Sequence, residues 1–445
     1  MKLRKTLCAA ILISFMMTAA AWAQDDFRFD DDVFIPDFTE EEMRIEPAAH
    51  QAFDIRWGGW ITPTIINDRP GGGELMTSVT SFRLWAQASL WENAHFYARG
   101  RNIYMHLISE DGYPDFDSSE NTLDLEAAYI SMSALDRDLN IQAGRRFFVL
   151  GSGLVMNGRG DGAELRFYSP IADIKLFGLY TGFLKKDLNP YGISSRDLSD
   201  GAKRIFAGGS LEKTIINHTA YLFGMVQIDQ AKEESGEKDR YDSQYYGVGL
   251  KGILFDGMEY YGEFIYQQGT NSVIAEGKDE LDIKAMAAIA GFNYYFDMAL
   301  NPALLVQYAY GSGSSDEDED GTFGYFGTYV GGFALRPKLQ NLHVIRAGVS
   351  VTPLSFLSNP RLNRMTVIGR YSYYMKDDEK ADAGGGIGAI EEEKFVGHGI
   401  DCSVRWRIYH DLAFFLNYGY FIPGDAFPSG EDDRSFVMAG LTLSF

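Results

Sequence analysis

The sequence predicts an all-β protein, a transmembrane antiparallel barrel of about 18 strands with 16 as the alternative count. Three observations carry this. From about residue 51 to the end, segments of 9–14 residues alternate apolar with polar or small, with a period of 2 and never 3.6. The connections between them alternate between tight turns and long polar loops. The N-terminus reads as an export signal.

Residues 1–23 form the signal peptide. Lys2, Arg4 and Lys5 make the positive region, Leu7 to Phe15 a short apolar run, and Ala21-Trp22-Ala23 the small-residue cleavage site before Gln24. A membrane anchor is the alternative, but the run is short and acidic sequence follows at once. Cys8 lies inside the run, away from the cleavage site, which argues against a lipoprotein. Removing three basic residues from the 40 present leaves 37 against 62 acids, a formal charge of −25. A nucleic-acid partner is excluded on that balance. The mature chain keeps one cysteine, Cys402, so neither a disulfide framework nor a zinc cluster can be built.

Residues 24–50 carry Asp30-Asp31-Asp32 and Glu40-Glu41-Glu42 with little apolar periodicity, and are expected to be a loosely held periplasmic segment. Residues 51–445 are expected to be the barrel. The expected strands are 51–62, 77–90, 95–108, 122–134, 139–148, 161–169, 172–184, 203–212, 217–229, 242–254, 258–269, 281–296, 303–311, 342–352, 363–375, 396–409, 412–422 and 433–445. The last is the clearest: Val437, Ala439, Leu441, Leu443 and Phe445 share one face, and Gly440, Thr442 and Ser444 the other. Leu412, Phe414, Leu416, Tyr418 and Tyr420 repeat the pattern, as do Ile400, Cys402, Val404, Trp406 and Ile408. Tight turns include Glu92-Asn93-Ala94, Phe255-Asp256-Gly257 and His410-Asp411. Long loops are expected at 109–121, 149–160, 185–203, 231–241, 270–280, 312–341, 376–395 and 424–432. A soluble propeller or sandwich is the competing reading. Its core would be rich in Leu, Ile and Val, whereas these faces are diluted by Gly and Ala and end in aromatics, as a lipid-facing band between aromatic girdles does.

The C-terminal third carries Gly399-Ile400-Asp401-Cys402, an alternating strand to Tyr409, Asp411-Leu412, and then Asn417-Tyr418-Gly419-Tyr420-Phe421-Ile422-Pro423-Gly424-Asp425. Gly144-Arg145-Arg146 followed by Gly151 is a second, weaker element, with Arg146 where a Gln is usual. These stretches resemble the alginate-export family of bacterial outer-membrane β-barrel porins. The resemblance implies a monomeric 18-stranded pore in the Gram-negative outer membrane, for polysaccharide or another solute, without fixing the cargo.

A pore acts through its inward face. Strand parity points Arg83, Arg146, Arg166, Lys175, Lys251, Arg346, Arg364, Arg370, Arg405 and Arg407 inward, with the acids Asp124, Glu126, Glu164, Glu263 and Asp401. Arg99 and Arg101 share a parity on a strand that alternates poorly, and their direction stays open. Basic rings select anions, so the expected function is passive transport or export of an anionic saccharide, polysaccharide or other anionic solute. Alternatively these arginines pair with lumen carboxylates and stiffen the wall, and the protein is a structural or adhesive barrel with a blocked lumen and active extracellular loops. Phe177, Tyr168 and Phe415 are candidate sugar-stacking residues. Loops 149–160 and 185–203 could fold inward, and Gly151, Gly153, Gly158 and Gly160 would let the first bend sharply.

No enzyme is expected. None of the seven histidines sits in a motif with a serine, and Gly151-Ser152-Gly153 lacks the nucleophile-elbow pattern. No Cys-x-x-Cys-His is present, and residues 24–50 are too few for a globular plug domain. No cofactor is expected. The acidic run Asp316 to Asp320 lacks the spacing of a known calcium loop. Expected partners are outer-membrane lipid and lipopolysaccharide, the transported anion, and the barrel-assembly machinery through the C-terminal Phe445.

Overall fold

In the computed structural model, residues 54–445 are described, apart from 112–118, 185–192, 194–196, 198–200, 231–239, 274–279 and 317. The readings for residues 1–23 and 24–50 lie outside the described residues. The chain forms a closed antiparallel barrel. Its strands are β1 Ile55–Arg69, β2 Glu74–Trp91, β3 Ala94–Asp111, β4 Ser119–Ala134, β5 Leu139–Leu150, β6 Met156–Phe167, β7 Asp173–Tyr180, β8 Arg204–Ile215, β9 His218–Asp229 and β10 Tyr241–Phe255. There follow β11 Met258–Asn271, β12 Leu281–Tyr295, β13 Ala303–Gly311, the two-residue β14 Glu319–Asp320, β15 Leu342–Val351, β16 Met365–Met375, β17 Phe395–Arg407, β18 Leu412–Pro423 and β19 Arg434–Ser444. All but β14 belong to the wall, so eighteen strands close the barrel. Each wall strand pairs with the next, and β19 returns to β1. No described helix is long and apolar enough to cross a membrane; the strands cross it.

Alternation is realised as the sequence predicts. On β19, Leu441 and Leu443 are 41% and 44% exposed, while Met438 and Thr442, of the opposite parity, are 1% and 2% exposed. The exposed set faces lipid and the buried set faces the lumen. Closure is completed by Phe445, whose backbone exchanges both hydrogen bonds with Gly59 at 2.9 and 3.0 Å.

Some boundaries differ from expectation. β1 runs on through Pro63 to Arg69, and the chain turns at Pro70-Gly71-Gly72-Gly73. Pro63 is tolerated because its missing N–H falls where the β1–β19 ladder skips Thr62 and Pro63. Connection 352–364 is much longer than the other turns on the side of the barrel where β1 starts and β19 ends. Arg364 lies in it, exposed, so it is not on a strand as expected. Tyr168 likewise falls just beyond β6.

The largest departure is at 149–160, which is not a loop. β5 and β6 pair with each other up to Leu150–Met156, leaving only 151–155 as connection. Yet β5 pairs with β4 only as far as Arg145–Ala128, and β6 with β7 only as far as Asp161–Tyr180. Above that level the hairpin 146–160 leaves the wall and turns into the lumen. Gly144 and Gly162, paired with each other, mark the departure. A Cβ at Gly144 would sit 2.3 Å from the Ala128 carbonyl oxygen, and one at Gly162 2.0 Å from that of Gly178. Gly144 has φ +131, a conformation that side chains disfavour. The edge of β4 exposed by the departure is capped by Arg145, whose Nε donates to the Leu125 carbonyl at 2.7 Å.

Candidate functional site: the lumen

Two segments enter the lumen. The first is the hairpin 146–160. The second is 321–341, from the connection that sequence reading treats as one long polar loop. The two meet: Phe326 N–H donates to Val155 O and Thr328 N–H to Gly153 O, both at 3.0 Å, extending the hairpin by a third strand-like segment. Phe148, Leu150, Leu154, Val155 and Met156 are all 0–2% exposed. They join Phe206, Phe223, Tyr245, Phe323 and Phe326 in one apolar cluster between the inserts and the wall. Burying each such side chain is worth about 1.5–3 kcal/mol, so the inserts are part of the folded core. The inward-folding expectation for 149–160 agrees with this. Most of 185–203 lies outside the described residues, but Asp197 is buried there and pairs with Arg204 at 2.6 Å.

The inward basic residues divide by neighbourhood. On β2–β6, Glu126 is buried among Arg83 and Arg99 at 2.9 Å each and Arg101 at 3.1 Å. Asp124 receives Arg101 at 3.2 Å and Arg159 at 2.6 Å. Both Arg99 and Arg101 therefore face inward. β3 runs through them without interruption, and the bulge lies on the facing strand, where Glu126 drops out of the β3–β4 ladder. Aromatic rings fill the spaces: Arg83 and Arg99 lie 5.7 and 5.8 Å from the Trp60 ring, and Arg99 and Arg159 5.9 and 5.8 Å from that of Phe147. Phe147 belongs to the hairpin, so this contact joins the insert to the β2–β4 side.

Arg146 pairs with Glu164 at 3.2 Å, and Glu164 also takes Arg166. Lys175 Nζ donates to the Val149 carbonyl at 2.7 Å, another tie to the hairpin. Lys251 is exposed on the inward parity of β10.

On β15–β17, Arg346, Arg370, Arg405 and Arg407 share the inward parity with a single acid, Asp401, which lies opposite Arg370. Arg346 donates to Ser372 Oγ at 3.1 Å and to the Gly331 carbonyl of the second insert. Arg405 is 5% exposed, donates to Asn417 Oδ1 at 3.4 Å and lies 5.9 Å from the Phe415 ring. Arg407 is half-buried at the end of β17. Phe177 packs its ring at a tilt against Phe148, with centroids 5.9 Å apart, and so holds the insert.

Glu263 and Asp401 act differently from the other three acids. Neither has a salt bridge among the described residues. Glu263 accepts the Ser152 N–H at 2.7 Å, the Ser152 hydroxyl at 2.6 Å and the Tyr221 hydroxyl at 2.8 Å. Asp401 accepts the Phe333 N–H at 3.0 Å. Each holds the backbone of one insert.

Sequence reading misses Arg145, Arg159, Arg204 and Arg336. Arg336 sits on the second insert, pairs with Asp68 of β1 and lies 4.9 Å from the Phe436 ring of β19, spanning the closing seam. A signal was present: Phe323, Tyr325, Phe326, Tyr329, Phe333, Leu335 and Leu339 are too apolar for a solvated loop. Among the described residues no metal-binding cluster of His, Cys, Asp and Glu occurs.

A closed eighteen-stranded barrel with lipid-facing strands and inserts in its lumen defines an outer-membrane β-barrel of the porin kind. Its fold is similar to solved structures of Pseudomonas aeruginosa OccK11 (OpdR), with TM-score 0.55, 12% identity and coverage of 88% of this chain and 96% of that one. The P. aeruginosa outer membrane protein opdK gives TM-score 0.58, 11% identity, and 88% and 99% coverage. Acinetobacter baumannii OccAB3 gives 0.56, 11%, and 88% and 99%. Comparison with curated protein sequences gives no match. Residues 204–437 match the family model described as alginate export, and the chain belongs to that family. It is an outer-membrane channel for passive solute transport, not an enzyme.

Proposed function

We propose that the solute is anionic, a saccharide, polysaccharide or smaller anion, and that a single chain forms the working channel. The observation that carries this is the inward face of β15–β17, where four arginines share the wall with one acid, Asp401. Fixed charges inside a low-dielectric wall act on a passing ion far more than loop charges beyond a Debye length of about 8–10 Å.

Reconstitution in planar bilayers under a KCl gradient tests the reading. The expected reversal potential has the sign of anion preference, and R370Q/R405Q/R407Q moves it toward the cation side. A folded triple variant with an unchanged potential would refute the assignment. A folded barrel that stays silent would favour the blocked, loop-presenting barrel, a reading that the two inserts support.

A further inference from the structure

We propose that Glu263 and Asp401 are positioning residues that jointly fix the aperture, each seating one insert, and that the inserts respond as a single body. The inference rests on the channel reading for its meaning, but its geometry stands apart from it. Of the five inward carboxylates that parity identifies, Asp124, Glu126 and Glu164 are taken by arginines. The remaining two receive backbone N–H groups from the inserted segments, Ser152 for the hairpin and Phe333 for 321–341.

A buried carboxylate that accepts backbone N–H bonds fixes direction as well as distance. Apolar burial alone does not: a greasy face can slide on a greasy wall, and each insert presents one. Glu263 is 5% exposed with both oxygens engaged, so the hairpin tip has one seat. Gly151 adds a steric condition. A Cβ there would lie 2.4 Å from Glu263 Oε2 and 2.6 Å from the Phe223 ring, so the tip fits only without a side chain. Asp401 is also 5% exposed, and its Oδ1 lies 3.1 Å from where a Cβ on Gly419 would stand, beside Phe333 and Ala334. The inserts are then tied to each other by the Phe326–Val155 and Thr328–Gly153 hydrogen bonds. Loosening one seat leaves its insert held by the other.

The test uses the full-length barrel with Cys402→Ser and a reporter at Val155→Cys, a fully buried position on the hairpin. The probe is a membrane-impermeant maleimide added from outside. E263A and D401A should each raise the labelling rate about tenfold through local opening. The double variant should show about the product of the two effects, because one body opens only when both seats are released. Open-channel conductance should rise in the same order. Unchanged labelling in both single variants would overturn the seating roles, and a D401A barrel that labels at the parent rate while E263A labels faster would overturn the single-body claim. Raised labelling in barrels that carry no current would uphold the seats and refute the channel reading. Flat labelling in conducting barrels would do the reverse. Should E263A fail to assemble, Ser152→Ala removes one hydrogen bond from the other side and should still label faster than the parent; an unchanged rate would overturn the Glu263 role.

Discussion

Gly144 and Gly162 face each other across the β5–β6 ladder at the level where both strands part from the barrel wall. Each lies against a neighbouring strand's carbonyl, where a Cβ has no room. Gly144→Ala and Gly162→Ala should each lower stability by about 1–3 kcal/mol through strain and forced backbone shifts. Gly144→Ala carries the added penalty of a positive φ. Urea unfolding in detergent, followed by heat-modifiable gel mobility, measures this. Wild-type midpoints in both variants would show that the departure level is set elsewhere.

Glu126 is the counter-charge of Arg83, Arg99 and Arg101, and its side chain is 1% exposed. Replacing it with Gln leaves the geometry but not the charge. Breaking a buried pair costs about 3–5 kcal/mol, so E126Q should unfold at markedly lower urea. Barrels that do assemble should show a stronger anion preference, since the positive field on β2–β4 is no longer offset. A stable E126Q with unaltered selectivity would mean that these guanidiniums do not reach the conducting path.

The extracellular connections 312–341 and 376–394 are tied by Ser315, whose hydroxyl and backbone N–H donate to Asp378 Oδ2 at 2.7 and 2.8 Å. The Ser315 hydroxyl holds the Asp378 carboxyl below its ordinary value. A lowered carboxylate contributes its stabilisation above the unfolded-state pKa of about 3.9 and loses it as pH falls through the folded value. The tie should thus be intact at neutral pH and weaken only in strong acid. Carboxyl NMR should place the Asp378 midpoint under about 3.9, with Ser315→Ala moving it back up. A midpoint unaffected by Ser315→Ala would assign the effect to other neighbours.

Phe445 pairs with Gly59 and stacks 6.3 Å from Phe82, so the last residue reaches the second strand across the first. Deleting residues 443–445 removes the Leu443–Ile61 and Ser444–Trp60 pairs as well. The truncated chain should accumulate as protease-sensitive periplasmic protein. Heat-modifiable barrels from it would show that closure needs only the upper β1–β19 ladder.

Much of the wall is legible from alternation because parity on a strand with one lipid face admits little else, as on β17 and β19. Legibility fails where parity itself breaks. On β4 it breaks at Glu126, and on β3 the residues alternating with Arg99 and Arg101 are Ala98, Gly100 and Asn102, which mark no lipid face, so the directions of the two arginines could not be read. The lumen is harder. Glu263 and Asp401 are correctly placed inward by parity, but their partners Ser152 and Phe333 are distant in sequence and nothing local announces them. The acidic run 316–320 makes the whole of 312–341 look solvated, although its apolar half supplies the lumen's packing.

A wide cylinder one strand thick is poor at resisting a squeeze from the side, because its hydrogen-bonded hinges let a circle flatten toward an oval. The hairpin 146–160 touches the β2–β4 side through Phe147 and the β11 side through Ser152. The second insert reaches from Tyr245 on β10, through Gly324, to Asp68 on β1. Together they cross the cylinder like spokes in a rim. The lateral pressure of the surrounding bilayer then falls on a packed interior rather than on the curvature of the sheet alone, and the cross-section stays round.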